Sequence, residues 1–169
     1  MATEVEVSIV IPNWNGKRWL QKCLPAVYGL KHTSYCVIVI DNGSTDGSVA
    51  YLKEHHPSVY IVELPSNVGF AGAMNEGLAI VETPLVALLN NDTEVTPNWL
   101  TILQDRLLGS SEFVVAVGSM MCSMEHRDTI DDAGNELSWY GSASKRGHGQ
   151  QCDEYLAPEQ VFSVSGGAS

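Results

Sequence analysis

The chain has 169 residues, 44% of them hydrophobic, which fits one soluble globular domain with a substantial core. It is acidic, with 20 Asp and Glu against 9 Lys and Arg and a formal net charge of −11. This charge argues against nucleic acid and against anionic lipid as partners, because both are bound through basic residues. A small phosphorylated ligand is not excluded, because a metal ion can supply the positive charge.

Strand and helix patterns alternate along the first two-thirds of the chain. Apolar, mostly β-branched runs predict five strands, at residues 7–12, 37–40, 59–64, 85–89 and 113–120. Apolar residues at helical spacing predict four helices, at 17–30, 44–55 (with Thr45 or Asp46 as its cap), 71–81 and 99–108. Such alternation is typical of βαβ units. It predicts an α/β, Rossmann-like, mostly parallel sheet with helices on both faces.

The last third of the sequence has a different character. Residues 121–158 are a loop-rich segment with many Gly, Ser, Asp and His residues, and 159–169 resembles one more strand that runs into Gly-Gly. We expect a single domain over 1–169 whose C-terminal region is missing, because a strand of this kind normally continues into another element.

Cysteine usage and the N-terminal sequence bear on the compartment. The four cysteines form no C-x-x-C pair, so neither a zinc site nor a redox motif is indicated. Glu4 and Glu6 interrupt the N-terminus, which argues against a signal peptide, and no apolar run approaches the length of a membrane span. We therefore expect a cytoplasmic protein.

Two predicted strands end in an acidic residue followed by a turn. The strand 37–40 runs into Asp41, and the strand 85–89 runs into Asn90, Asn91 and Asp92. Open α/β sheets bind ligands at the carboxyl ends of their strands, and Mg²⁺ and Mn²⁺ prefer oxygen ligands. These strand ends therefore predict a site for a nucleotide with metal-bound phosphates.

Four motifs resemble the family-2 glycosyltransferases of the GT-A fold. They are VSIVIPNWNG, IDNGSTDGS, NVGFAGAMNEGL and LLNNDTEV, in the family's order and spacing. The later strings IDDAGN, KRGHGQ and VFSVSGGAS are similar to a rhamnosyltransferase-like subgroup. The resemblance implies an inverting enzyme of polysaccharide biosynthesis that uses Mg²⁺ or Mn²⁺. Its nucleotide-sugar donor is a dTDP- or UDP-sugar, with guanine as a further candidate base, and its acceptor is a glycan or a lipid-linked hydroxyl. The complete protein is expected near the inner face of a membrane.

The base-binding end of the implied donor site comes from the first two strands. Pro12, Asn13 and Trp14 form a loop that holds the base through backbone contacts and through stacking on the indole. The alternative for Trp14 is a cap on the edge of the core. The resemblance implies that Asp41 accepts a hydrogen bond from a ring N–H of the base, since a carboxylate is only an acceptor. A simple Asx turn is the alternative.

The phosphate end of the implied site comes from the third helix and the fourth strand. Gly69 and Asn75 lie at the start of the helix, where the backbone and the helix N-terminus favour an anion. In the family's D-x-D position, Asn91 is implied to lie near the ribose and Asp92 to bind the metal. Two of the three residues from 90 to 92 are amides, so the metal affinity is expected to depend on the donor diphosphate.

The catalytic base is not identified from the sequence. Asp131 and Asp132 are candidates by composition only. The alternative function is a non-catalytic nucleotide-binding or scaffolding domain with a degenerate GT-A fold. A nucleotidyltransferase or dehydrogenase ranks last, because the first strand is not followed by G-x-G-x-x-G. A homodimer is expected because a shortened domain exposes a sheet edge.

Overall fold

The computed structural model describes residues 6–32, 34–155 and 157–169. The chain divides into two compact units, one ending at Ile102 and the other beginning at Leu103. Two such units are compatible with one domain, so the single domain over 1–169 stays a prediction. No helix within the described ranges is long and apolar enough to cross a membrane.

The first unit is built on a parallel sheet, which confirms the predicted fold class. Its strands are β1 (Val7–Asn13), β2 (Tyr35–Asp41), β3 (Tyr60–Glu63) and β4 (Leu85–Leu88). They lie in the order β3-β2-β1-β4, and every neighbouring pair is parallel. The helices are α1 (Lys17–Tyr28), α2 (Ser48–His55), α3 (Phe70–Leu78) and α4 (Trp99–Leu108). Four predicted strands and all four predicted helices are therefore present, most with shifted ends.

Helices cover both faces of this sheet. Residues 7–11 of β1 are buried without interruption, as expected for a central parallel strand. Helix α3 covers one face, where the core cluster comprises Val10, Ile38, Ile40, Ala73 and Met74. Side chains alternate along a strand, so the neighbours of Val10 point to the opposite face. Right-handed crossovers place α1 and α2 on that face, and these two helices contact each other.

The start of α2 differs from the prediction. The helix begins at Ser48 and has Gly47, with φ 83°, at its N-cap, so neither Thr45 nor Asp46 occupies the predicted cap position, although the Asp46 side chain does bond the first N–H of the helix. A positive φ favours glycine there. Asp46 instead joins two helix starts, because its carboxylate accepts the N–H of Ser48 at 3.0 Å and that of Lys17 at 2.9 Å. Burial raises the pKa of Asp46, but the hydrogen bonds from Ser48 and Lys17 outweigh it and hold the pKa below its ordinary value.

The second unit contains short antiparallel strands. The segment Met121–Cys122 (β5) pairs with Ile130–Asp132 (β6), and Asn135–Leu137 (β7) pairs with Ala143–Lys145 (β8). A short 3₁₀ helix covers Cys152–Tyr155. The loop-rich segment predicted at 121–158 thus consists of loops that join very short strands.

Two predicted strands are wrong. Residues 113–120 form no strand, and Phe113 and Val115 are each 86% exposed. Residues 159–169 contain only isolated bridge positions. An apolar β-branched run forms a strand only where a neighbouring strand completes the hydrogen-bond ladder. Residues 113–120 bond elsewhere: Val114 N–H donates within a turn to Ser111, and Ser119 N–H donates to Ala168 O.

Gly77 is where α3 approaches the sheet most closely. A Cβ at this position would lie 2.8 Å from Val10 Cγ1 and 2.9 Å from Ile40 Cγ1. We expect Gly77→Ala to lower the free energy of unfolding by about 1–3 kcal/mol, because overpacking outweighs the better helix propensity of alanine. Urea denaturation checks this, with Gly166→Ala as the control because a Cβ there meets open space. A more stable Gly77→Ala variant would contradict the close packing of α3.

Candidate functional site

The chain reverses its direction of travel across the sheet next to β1. It builds β2 and β3 on one side of β1 and then crosses back to place β4 on the other side. In open α/β sheets, ligands bind outside the carboxyl ends of the strands at such a switch point. Asn13 ends β1 directly beside Asp41, the last residue of β2, and the 90–92 turn follows β4. The two sequence-predicted clusters therefore meet at one edge of the sheet.

The side chain of Asn13 links these strand ends. It is 1% exposed, and its Nδ2 donates to Asp41 Oδ2 at 2.8 Å and to Ser44 Oγ at 3.2 Å. Its Oδ1 accepts a hydrogen bond from Asn91 Nδ2 at 2.8 Å. One buried amide at the end of β1 thus connects the end of β2 to the turn that follows β4. The sequence analysis expected Asn13 to act through its backbone and missed this side-chain role.

Gly16 provides the space for the Asn13–Asn91 contact. A Cβ on Gly16 would lie 2.2 Å from Asn91 Nδ2 and 2.5 Å from Asn13 Oδ1. The φ of Gly16 is −110°, a value open to any residue. Glycine is therefore required at this position because a larger side chain would not fit. In the sequence, this requirement is indicated only by the glycine of the N-W-N-G motif at the end of the first strand.

Asp41 is held in one orientation at the end of β2. It is 2% exposed, and its second oxygen, Oδ1, accepts the N–H of Ser44 at 2.9 Å. The next residue, Asn42, organises the neighbouring loop: its Oδ1 accepts the N–H of Val68 at 2.9 Å, and its Nδ2 donates to Gly69 O at 3.2 Å. The loop before α3 is therefore fixed against the end of β2, an arrangement the sequence analysis did not predict.

Large apolar side chains are exposed around this edge. Trp14, Val68 and Phe70 are each more than half exposed, and Trp14 reaches 57%. The exposure of Trp14 favours the stacking interpretation over a cap on the core. Of the other residues expected to bind the donor, Pro12 is half-buried in β1, Gly69 takes φ 81° at the N-cap of α3, and Asn75 is exposed on α3.

The 90–92 turn contains side-chain oxygen atoms of the kind that bind divalent metals. Asp92 is exposed, and Asn90 Oδ1 is a buried oxygen without a hydrogen-bond partner in the described part of the chain. Burial raises the pKa of the nearby Cys23 thiol to about 12, and the negative charges of Asp92 and Glu94 add to the effect. Oxygen ligands in a negative field suit Mg²⁺ or Mn²⁺.

Protein ligands alone do not complete such a metal site. Within residues 6–32, 34–155 and 157–169, no group of three His, Cys, Asp or Glu side chains could hold a metal ion. Asp92 and the amide oxygens of the turn therefore fit a metal whose remaining ligands come from a bound diphosphate and water.

The two acidic residues considered as the base lie in the second unit. Asp131 forms an ion pair with Lys145, with an N–O distance of 3.1 Å. Asp132 is 4% exposed, and its Oδ1 accepts the N–H of Gly134 at 2.8 Å. Both carboxylates thus have structural partners, and the base stays unassigned.

Comparison with known proteins settles the family. The family model described as Glycosyl transferase family 2 matches residues 8–160. The chain belongs to glycosyl transferase family 2. An uncharacterised glycosyltransferase of Nostoc sp. is 28% identical over 130 residues, which cover 75% of this family-2 chain and 38% of the relative. Chondroitin synthase of Escherichia coli is 27% identical over 135 residues, covering 78% of this chain and 18% of the relative. The chain thus spans well under half the length of these relatives.

Solved structures share the fold of this family-2 chain. Mannosyltransferase PcManGT from Pyrobaculum calidifontis, in complex with GDP-Man and Mn²⁺, gives a TM-score of 0.60 at 22% identity, over 72% of this chain and 36% of that one. S. aureus TarS in complex with UDP-GlcNAc gives 0.57 at 17% identity, over 62% of this chain and 31% of that one. These similarities confirm the GT-A fold.

The space at Gly16 can be tested directly. We expect Gly16→Ala to lower the free energy of unfolding by about 1–3 kcal/mol, because the new methyl group overlaps the Asn13–Asn91 hydrogen bond. Urea denaturation measures the loss, and Gly166→Ala again controls for an alanine in open space. An unchanged urea midpoint would show that the 90–92 turn is not held against β1.

The raised pKa of Cys23 predicts an inert thiol. With a pKa of about 12, only about one thiol in 10⁴ is ionised at pH 8, and the thiolate is the reactive form. We expect iodoacetamide to modify the exposed Cys122 in the native protein while Cys23 reacts only after denaturation. Peptide mass spectrometry reads both sites, and rapid native labelling of Cys23 would contradict its burial beside Asn90.

Proposed function

We propose that this edge of the sheet binds the nucleotide-sugar donor of a metal-assisted, inverting glycosyltransferase. The observation that carries the proposal is the buried Asn13 amide, which holds Asp41 and Asn91 together at the switch point of the sheet. Membership of glycosyl transferase family 2 supplies the class of reaction. The whole protein's activity is part of the proposal, since the chain covers 38% of the Nostoc relative.

Recognition of the base is assigned to Asp41 and Trp14. Each carboxylate oxygen of Asp41 accepts one hydrogen bond within the protein, and a carboxylate offers about four acceptor positions. A ring N–H of uracil or thymine adds to these bonds without breaking one. The exposed indole of Trp14 provides a face for stacking beside it. We therefore propose a UDP- or dTDP-sugar as donor, and guanine, which also carries a ring N–H, as the other candidate base.

The diphosphate is assigned to the 90–92 turn and the start of α3. Asp92 and the neighbouring amide oxygens would hold Mg²⁺ or Mn²⁺, which supplies positive charge to the departing nucleoside diphosphate. Gly69 lies at the N-terminal end of α3, whose backbone N–H groups favour an anion, whereas Asn75, proposed as a further donor-binding residue, lies more than one turn into the helix. The PcManGT complex with GDP-Man and Mn²⁺ supports the use of a divalent metal by this fold.

The acceptor is proposed as a glycan or a lipid-linked hydroxyl in polysaccharide synthesis. The similarity to chondroitin synthase supports such a product. Inversion requires a base on the acceptor side for in-line attack, and the carboxylates of Asp131 and Asp132 are already held by Lys145 and Gly134. The cytoplasmic location near a membrane and the homodimer remain predictions.

One observation favours a second function, a non-catalytic nucleotide-binding domain. Asn90 and Asn91 are amides in a turn where the family's D-x-D pattern carries negative charge. A domain that only binds the nucleotide needs less charge for the metal. A longer chain that also contains the catalytic base distinguishes the two functions. It should transfer or hydrolyse the donor sugar if the protein is an enzyme, and it should only bind the nucleotide if it is not.

Asp92 provides the test of the donor site. We expect UDP or dTDP to bind in the presence of Mn²⁺, and Asp92→Ala to weaken that binding by at least about tenfold, because the turn loses its one carboxylate. Isothermal titration calorimetry with UDP, dTDP and GDP, each with and without Mn²⁺, measures the loss and identifies the base.

The matched control is Glu54→Ala, which removes one exposed negative charge from α2. It should leave nucleotide binding unchanged. Equal binding by Asp92→Ala and the wild type would remove the metal assignment. A folded wild-type chain that binds none of the three nucleotides would remove the donor site itself.

A further inference from the structure

Three side chains, Asp41, Asn13 and Asn91, form a hydrogen-bond chain whose direction is fixed by chemistry. The Asp41 carboxylate can only accept, so the end of the Asn13 amide that faces it must be the donating Nδ2. Asn13 and Asp41 are 1% and 2% exposed, so their contact is shielded from water, whereas Asn91 is half-buried. The orientation of Asn13 therefore follows from Asp41 and not from a choice of amide rotamer.

The orientation of Asn13 in turn selects residue 91. Its Oδ1 faces away from Asp41 and accepts Asn91 Nδ2 at 2.8 Å. Only a donor fits opposite this oxygen. A carboxylate at position 91 would place two acceptor oxygens against each other in a partly buried contact and leave the buried Asn13 Oδ1 without its hydrogen bond.

We propose that Asn13 is a positioning residue that requires an amide at position 91 and aims it toward the ligand. With Nδ2 bound to Asn13, the Asn91 amide directs its acceptor, Oδ1, away from that contact. The chain Asp41–Asn13–Asn91 thereby couples the end of β2 to the metal-binding turn. The role toward a ligand rests on the proposed donor site, whereas the hydrogen-bond chain itself does not.

The direction of all hydrogen bonds between Asp41, Asn13 and Asn91 can be reversed together. In an Asp41→Asn/Asn91→Asp double variant, the new amide at position 41 donates to Asn13 Oδ1, and Asn13 turns its Nδ2 toward the carboxylate at position 91. In the wild type, the Ser44 hydroxyl accepts a hydrogen bond from Asn13 Nδ2. In the double variant, Asn13 Oδ1 takes the place of Nδ2, and the Ser44 hydroxyl rotates and donates to it. Every hydrogen bond of the three-residue chain is then remade with opposite direction. The Asn91→Asp single variant places carboxylates at both ends of Asn13 and leaves one mismatch, whereas the Asp41→Asn single variant is accommodated when the amides of Asn13 and Asn91 both turn.

A double-mutant cycle measured by urea denaturation tests this requirement. We expect Asn91→Asp to lower the urea midpoint clearly more than Gln21→Glu, which makes the same amide-to-carboxylate change at an exposed residue inside α1. We expect the double variant to regain stability, with a coupling of about tenfold in the equilibrium constant for unfolding. Additive effects of the two substitutions, or an Asn91→Asp variant as stable as Gln21→Glu, would overturn the proposal.

Nucleotide binding distinguishes the positioning role of Asn13 from a simpler role in which residue 91 is only a metal ligand. The two roles predict opposite effects of Asn91→Asp on the affinity for UDP. If residue 91 were an ordinary metal ligand, Asn91→Asp would tighten binding of UDP with Mn²⁺, because it adds a carboxylate beside Asp92. The positioning role of Asn13 predicts the reverse, a loss of at least about tenfold, as the turn is pushed away from β1. Tighter Mn²⁺-dependent binding by Asn91→Asp would refute that role.

The two proposals fail separately. If the wild type binds no nucleotide and the stability cycle still shows coupling, the proposed function fails and the requirement for an amide at position 91 stands. If the wild type binds and the cycle is additive, the donor site stands and the positioning role of Asn13 fails.

Discussion

The site depends on a single buried amide. Asn13 has one donating end and one accepting end, and the two ends bond residues that follow different strands. Because the side chain is almost fully buried, an unmade bond at either end would cost about 1–3 kcal/mol. This cost keeps the loops after β1, β2 and β4 in one arrangement, which a loop-based binding site needs in order to be ready for its ligand.

The sheet creates the conditions for this contact. Parallel pairing in register brings Asn13 level with Asp41, and the crossover to β4 places the 90–92 turn on the other side of the same strand. Gly16 leaves the space through which the two asparagines meet. Asn42 extends the same order to the loop before α3. The exposed side chains of Trp14 and Phe70 therefore stand on a framework that is already fixed.

The sequence was sufficient for the parts of the structure that local patterns determine. Buried β-branched runs identified β1 to β4, and apolar periodicity identified the helices, because both signals arise within a few residues. The run at 113–120 carries the same local signal and forms no strand, since strand formation also needs a partner. The side-chain role of Asn13 depends on which strands are neighbours across the sheet, so nothing near Asn13 in the sequence could reveal it.

The amides of the 90–92 turn have a physical consequence for ligand binding. Carboxylates at all three positions would hold a metal tightly and would repel a diphosphate whenever the metal was absent. With Asp92 as the one carboxylate, both the affinity for metal and the repulsion of the diphosphate are smaller. In the proposed donor site, the metal would gain part of its coordination from the nucleotide, and the nucleotide would gain its positive charge from the metal. By linkage each ligand would raise the affinity of the other by the same factor. The proposed site would thus bind the pair in preference to either member, which would let an acidic chain bind an anionic nucleotide.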